Sequence, residues 1–590
     1  MNPASRLLAG ALALVAIQVL AADPSPLSTV SERSGFKKTG RYDEVIALCG
    51  AFAERYPDAV RCIDFGVTPQ GRHMKAMVVS RSGSLDADSA RRNGVPVLLV
   101  QGGIHAGEID GKDAGFLAVR QALDGEAAKG SLQKQVLLFV PVFNVDGHER
   151  FGAWNRPNQR GPEEMGWRTT AQNLNLNRDY LKADAPEMRA MLRMIKAWDP
   201  IAYVDLHVTD GAKFRHDVSI QIEPLHAGDA ALKAAGQQMS RDMLDALKKQ
   251  GSLPLPFYPS FVTYDDPSSG FVDGVPPPRF SHGYFWLRNR FGMLVETHSW
   301  EDYPTRVRIT RNAVINMLEQ TAEHGREWLK LANEADQRSA ELAGKPVDME
   351  FTASDRSHDI DFLGYAYTRS PSEISGALMT RYDESKPATW TIPLRDDIQP
   401  STVINAPGAG YIVPAQQARL VRTILSLHGI QSEGLRDGMA KADVRTFRAA
   451  EAKPATGSME GHQRMTFTGA WQDEQRSIPA GSVFVPIAQP EARLVMAILE
   501  PMLSDSLAAW GEFNNAFEGK EYMEPYVAEE VAREMLRNDP KLQSEFAHAL
   551  EDPAFAADPF ARLNFFYKRH ASFDERLNLY PVYRVDRWPQ

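Results

Sequence analysis

Three things are scarce in this sequence. Cysteine is nearly absent: Cys49 and Cys62 are the two in 590 residues. They allow one disulfide, from a helical stretch (Tyr42 to Phe52) to the opening of a strand, if the chain works in an oxidising compartment; two buried free thiols are the alternative. Positive charge is not in excess. The formal net charge is −10, which argues against nucleic acid as a partner. Long apolar runs are missing beyond the N-terminus, and nothing there approaches the ~18 residues that read as a membrane helix. The N-terminus differs. Arg6 precedes an almost wholly apolar Leu7 to Leu20, and small residues sit at Ala21 and Ala22 before Asp23-Pro24. Residues 1–22 are therefore expected to be a secretory signal peptide. No cysteine follows the apolar run, so a lipoprotein anchor is not expected. The chain should be exported, to the periplasm or beyond.

What is present is an ordinary globular composition and enough length for two or more domains at about 100–200 residues each. The most informative stretch is Val95 to Asp113, VPVLLVQGGIHAGEIDGKD. Its apolar run bounded by glycines predicts a buried strand, and Asp113 to Leu123 has helical spacing. His105 and Glu108 thus fall in the turn at a strand's carboxyl end, where open α/β sheets place ligands. An imidazole and a carboxylate three residues apart can reach one metal ion, although such a pair alone is a weak signal.

Further strands are expected at Arg61–Val67, His73–Ser80, Gln135–Phe143, Ile201–Leu206, Ser219–Ile222 and Gly292–Val295. Helices are expected at Tyr42–Tyr56, Ala185–Trp198, Asp229–Lys249 and Thr305–Leu331. This alternation argues a layered α/β domain. His207 and Glu296, like His105 and Glu108, each follow a strand. Arg150 to Leu174 and Tyr258 to Ser281 read as long polar loops. Beyond about residue 340 the texture becomes short β-like runs, then helices after Ser506. Tyr411-Ile-Val-Pro and Val483-Phe-Val-Pro, each followed by an amphipathic segment, form a near-repeat; two copies are too few for a solenoid.

The ordered set His105-x-x-Glu108, Trp167-Arg168, Asn177-Arg178, His207 and Glu296 resembles the zinc metallocarboxypeptidases of the M14 (carboxypeptidase A-like) family. Gly66 to Arg72, Asn144-Val-Asp-Gly147 and Ala185-Pro-Glu187 resemble that family's remaining landmarks. The resemblance covers roughly residues 40–330. It implies a mixed, roughly eight-stranded sheet flanked by helices, here followed by an α+β accessory region, with residues 23–340 as the catalytic domain and 341–590 as the accessory region.

The resemblance also implies one zinc per chain held by His105, Glu108 and His207, with Glu296 as general base and Arg168 polarising the scissile carbonyl. Asn177 and Arg178 would bind the free C-terminal carboxylate of a peptide substrate. Tyr264 is the first choice for the substrate-contacting tyrosine and Tyr284 the second. One departure stands out: Asn175 occupies the place of an aspartate that orients a zinc histidine, so the metal's tuning is open. Two other readings remain: an amidase acting on peptidoglycan stem peptides, and a secreted binding module that keeps the fold without catalysis. Oligomeric state is not legible.

Overall fold

The computed structural model describes residues 26–588; the expected signal peptide lies outside them. The strands are β1 Val60–Val67, β2 His73–Val79, β3 Val97–Gly102, β4 Val136–Val140, β5 Ala202–Thr209, β6 Val218–Glu223, β7 Pro254–Leu255, β8 Phe271–Val272 and β9 Phe291–His298. All but β8 form an eight-stranded sheet in the order β1-β2-β4-β3-β5-β9-β6-β7. The strands β4, β3, β5 and β9 run parallel, while β1, β2 and β6 pair antiparallel. Parallel strands bury both faces, which is why β3 opens on the unbroken apolar run Val97 to Val100 and β9 on Phe291 to Val295. Every residue of β3, β5 and β9 is buried. At about 1.5–3 kcal/mol for each large apolar side chain, this sheet supplies the core without help from a metal.

The helix after β3 starts earlier than its apolar spacing suggests, at Asp110 rather than Asp113, and runs to Asp124. The reason is charge pairing. Asp110 accepts from Arg306 Nε at 2.9 Å and from Thr297 Oγ1 at 3.0 Å, while Lys112 Nζ reaches Glu44 Oε2 at 2.9 Å. Charged residues that look like a loop are thus a buried first turn, tied to the closing helix Tyr303–Ser339. Behind the sheet, Asp146 gathers the early turn. It accepts from Thr68 Oγ1 at 2.8 Å, Gln70 N at 3.2 Å and Arg72 Nη1 at 2.6 Å. Cys49 and Cys62 are joined as a disulfide.

After the long helix come β10 Pro346–Ala353, β11 His358–Pro371, β12 Leu378–Arg395, β13 Ile398–Asn405, β14 Gly410–Val413, β15 Glu433–Gly434, β16 Met439–Pro454, β17 Met465–Ile478, β18 Val483–Pro486 and β19 Leu579–Val585. β11 and β12 form a long ribbon, and β8 of the first half adds to it as a parallel third strand. β16 and β17 form a second ribbon within a six-stranded sheet. The two halves of the near-repeat face each other: β14 and β18 pair antiparallel, Tyr411 opposite Val485 and Val413 opposite Val483. One hydrophobic cluster runs through both halves, from Leu27 to Val582. The accessory region is therefore packed onto the first half rather than tethered to it.

Candidate metal centre and substrate cleft

The turn after β3 is built for close approach. Gly103 has φ +62°, and a Cβ on Gly107 would sit 2.6 Å from Arg156 Cγ. Glu108 N donates to His105 O at 2.9 Å and closes the turn. On β5, two-residue alternation places Asp205 and His207 on one face. Residue by residue, β5 pairs with β9 so that His207 stands opposite Glu296.

His105 Nδ1 lies 3.1 Å from Glu108 Oε1, and His207 Nδ1 lies 2.8 Å from Glu108 Oε2. All three side chains are buried, and a ligand atom from each lies within 4.8 Å of the others. His105 Nδ1 is a buried atom without a hydrogen bond. Two imidazoles and a carboxylate are an open-site donor set, and this arrangement can hold a metal ion. The outer nitrogens are fixed from behind: His105 Nε2 sits 3.0 Å from Asn175 Oδ1, and His207 Nε2 sits 2.8 Å from Asp205 Oδ2. One histidine is thus backed by a neutral amide and the other by a carboxylate. That asymmetry raises the basicity of His207 more than that of His105.

The electrostatics follow. Burial pushes His105 down to about 4. Burial also works against the charge on His207, but Asp205 and Glu296 overcome it and hold the ring well above its usual value. Burial would raise Glu108; Arg156 and His105 outweigh it and keep the carboxylate ionised. Glu296 is pushed up to about 8 by burial, with His207 opposing, and its Oε2 has no hydrogen-bond partner. A cation between the three ligands would draw Glu296 back toward its ionised form.

Arg168 Nη1 lies 3.0 Å from Glu108 Oε1. Arg178 donates to Asn177 O at 2.7 Å and stacks on Phe280 at 4.3 Å. Burial, then the charges of Arg168 and Arg279, lower it to about 10. Asn177 Oδ1 accepts from Ser281 N at 3.0 Å, which fixes the amide.

The tyrosines fall differently from expectation. Tyr264 is 95 % exposed and outside the metal cluster. Tyr284 is buried, its hydroxyl 2.9 Å from His428 Nδ1. Tyr258 lies against the cluster instead. Its hydroxyl accepts from Thr209 Oγ1 at 3.2 Å, and burial together with the carboxylates of Glu296, Asp210 and Glu108 raises its pKa. Arg156 was also not anticipated. It grips Glu108 Oε1 at 2.7 Å and Val208 O at 2.9 Å, and no periodicity marks it within its polar loop. The expected loop Tyr258 to Ser281 gives way at its last residue to a helix, Ser281–Leu287. Its His282 is buried and pushed down to about 3. Arg279 is paired at 2.7 Å with Asp505. Neither is a free cation for an acidic substrate side chain.

The accessory region reaches this site. Its β16–β17 tip brings Glu460, whose Oε2 accepts from Asn175 N at 2.7 Å, and His462, 2.7 Å from Asp184.

Residues 45–214 match the family model described as zinc carboxypeptidase. Carboxypeptidase B of Astacus astacus is 29 % identical over 108 residues, 18 % of this chain and 33 % of that protein; the chain thus spans about a third of the curated relative's length. Among solved structures, a metallo-carboxypeptidase from Burkholderia cenocepacia is similar at TM-score 0.35 and 14 % identity, over 47 % of this chain and 68 % of that one. Carboxypeptidase A from Helicoverpa armigera is similar at TM-score 0.32 and 18 % identity, over 51 % and 74 %. Among the described residues no helix is long and apolar enough to cross a membrane.

Proposed function

We propose that this chain, whose residues 45–214 carry the zinc carboxypeptidase signature, is an exported metallocarboxypeptidase that binds one zinc ion and removes the C-terminal residue of peptides. The carrying observation is the convergence of His105, Glu108 and His207 beside the buried, unpartnered Glu296 carboxylate. When bound there, zinc supplies Lewis acidity toward a carbonyl and toward water. Glu296 accepts the proton of the attacking water and delivers it to the leaving amine. Arg168 offers its guanidinium to the developing oxyanion. Asn177 and Arg178 take the terminal carboxylate, for which a guanidinium is a two-point partner. Tyr258, rather than Tyr264, closes over the reacting bond. Export is supported by the N-terminal sequence and by the Cys49–Cys62 disulfide; fractionation of the producing cells tests it.

The decisive experiment compares one peptide as free acid and as amide. Leaving Arg178 desolvated and unpaired costs about 2–5 kcal/mol, or roughly 30- to several-thousand-fold in kcat/KM. The acid should lose one residue from its C-terminus and the amide should be cut poorly, and Arg178→Ala should erase most of the difference. Equal cleavage of both forms, or release of internal fragments, rejects the reading.

A further inference from the structure

A cleft of about 520 Å³ opens beyond the ends of β5 and β9, and one of its lining residues, Tyr382, comes from the accessory region. Asp210, Tyr258, Phe261, Tyr264, Trp300 and Tyr382 carry the argument about it. Three of them continue the catalytic elements: Asp210 stands three residues beyond His207, Trp300 four beyond Glu296, and Tyr258 rests on Thr209. Tyr382 is on β12, far along the chain.

The side that Tyr382 lines is fixed. Thr380 N donates to Asp265 Oδ2 at 2.7 Å, and Arg369 Nη1 lies 2.6 Å from Asp266 Oδ2. The loop after Tyr258 is therefore held against the ribbon from two sides. Beneath it, Phe261 packs on Phe271 at 5.1 Å and on Trp390 at 6.4 Å, and Tyr382 packs on Trp390 at 6.1 Å. The cleft is a built surface with aromatic walls, and Tyr264 stands in it almost wholly exposed.

Its position gives its role. Tyr258 lines the cleft and stands close enough to both Arg178 and Glu296 to interact with their charges. A chain whose terminal carboxylate sits at Arg178 and whose last peptide bond lies at Glu296 therefore continues, past Tyr258, into this space. A volume in the range of small-molecule sites holds two or three side chains. Its rings favour flat apolar surface, while Asp210 and Asp265 repel anions.

Resting on the carboxypeptidase reading above, we infer that the cleft between the catalytic loops and the β11–β12 ribbon is a binding site for the peptide segment upstream of the scissile bond, selective for aromatic and against acidic side chains. The ribbon thereby makes the accessory region part of substrate selection.

The test uses the zinc-loaded full chain carrying Glu296→Gln, so that binding is read without turnover. Acetylated pentapeptides with a constant C-terminal residue carry Phe, Ala or Asp at each upstream position in turn, and Kd is measured by calorimetry. At one or more positions Phe should bind about tenfold or more tighter than Ala, the size expected from burying one ring, and Asp should bind more weakly than Ala. Ser260→Trp, which fills the cleft, and Tyr264→Ala, which alters a side chain that is 95 % exposed and so spares the core, should each bring the Phe/Ala ratio toward one. Carboxylate-dependent binding with no Phe/Ala difference at any upstream position overturns this inference alone, as does a preference that survives both substitutions. Failure of every free-acid peptide to bind overturns the carboxypeptidase reading and this inference with it.

Discussion

The two halves of the molecule solve different problems with the same backbone chemistry. In the first, polar side chains stand at the ends of strands whose every residue is buried, so His207 and Glu296 are fixed by the sheet itself. In the second, the long ribbons β11–β12 and β16–β17 bury part of their surface, with Phe362, Trp390 and Ile392 or Val444 and Phe447 turned inward, and leave much of the rest exposed. They bring no residue to the His105–Glu108–His207 cluster, yet they reach its surroundings through Glu460, His462 and Tyr382. A buried sheet edge can hold groups to the fraction of an ångström that proton transfer needs. A ribbon, stabilised by cross-strand pairs, can project far from the core and shape what enters. On the proposed function and the inference drawn from it, the difference puts chemistry in one half and access in the other.

The hardest way to break that assignment is to remove a ligand. His207→Ala should abolish metal retention and turnover, with circular dichroism and chromatographic behaviour unchanged, because the sheet and not the ion supplies the core. Elemental analysis beside a peptide assay checks it, and full activity in metal-free protein would refute it. Next in size is Glu296→Gln, which keeps volume and metal while removing the proton acceptor. Turnover should fall by about 10²–10⁴, the usual contribution of a positioned acid–base group, and a loss below about tenfold would exclude Glu296 as the base.

A variant in the second half sharpens the contrast. Asp505 accepts from Arg279 N at 3.0 Å and pairs with its guanidinium at 2.7 Å, next to the Phe280 ring on which Arg178 stacks. Asp505→Ala should raise KM for free-acid peptides by about three- to tenfold with kcat little changed, since Arg279 is partly solvated and the pair is worth correspondingly less. A drop in kcat at constant KM would instead place the accessory region in the chemical step.

Legibility in the sequence followed the same division. His105, Glu108, His207 and Glu296 stood out because buried parallel strands are short apolar runs with abrupt polar ends. The structure brings the first three together and sets Glu296 opposite His207. Tyr258, whose hydroxyl meets Thr209, was not singled out from Tyr264, six residues on in the same loop, because no periodicity sets the register of a Pro-, Gly- and Ser-rich segment. Arg156 was missed for the same reason: what marks it is a contact, with Gly107 leaving room for its side chain. The strands Met439–Pro454 and Met465–Ile478 escaped because their buried positions are interspersed with charged and polar ones and form no apolar run. Asn175 shows the opposite case. The position was legible, and its amide oxygen still meets His105 Nε2, so the substitution retains the orienting contact and drops the charge.

The smallest effect tests whether every family landmark in the first half serves the chemistry. Glu187, in the first turn of the helix Pro186–Trp198, is fully buried, and neither carboxylate oxygen has a hydrogen-bond partner. Burial, with Asp146 and Asp179 adding repulsion, pushes it up to about 7. The sign is then fixed. Between the unfolded value near 4.5 and about 7 the folded chain binds more protons than the unfolded one, so stability falls as pH rises across that window and levels off above it. The full cost of ionising this group is at most about 3.4 kcal/mol for a shift of this size. Glu187→Gln keeps the volume and removes the charge. Denaturant titrations should find the variant equal to wild type near pH 4.5 and more stable at pH 8, with kcat/KM unaltered at either pH. If the glutamine chain is instead less stable by the same amount at both values, Glu187 is held by contacts rather than merely tolerated, and its place is structural support and not an electrostatic liability of the fold.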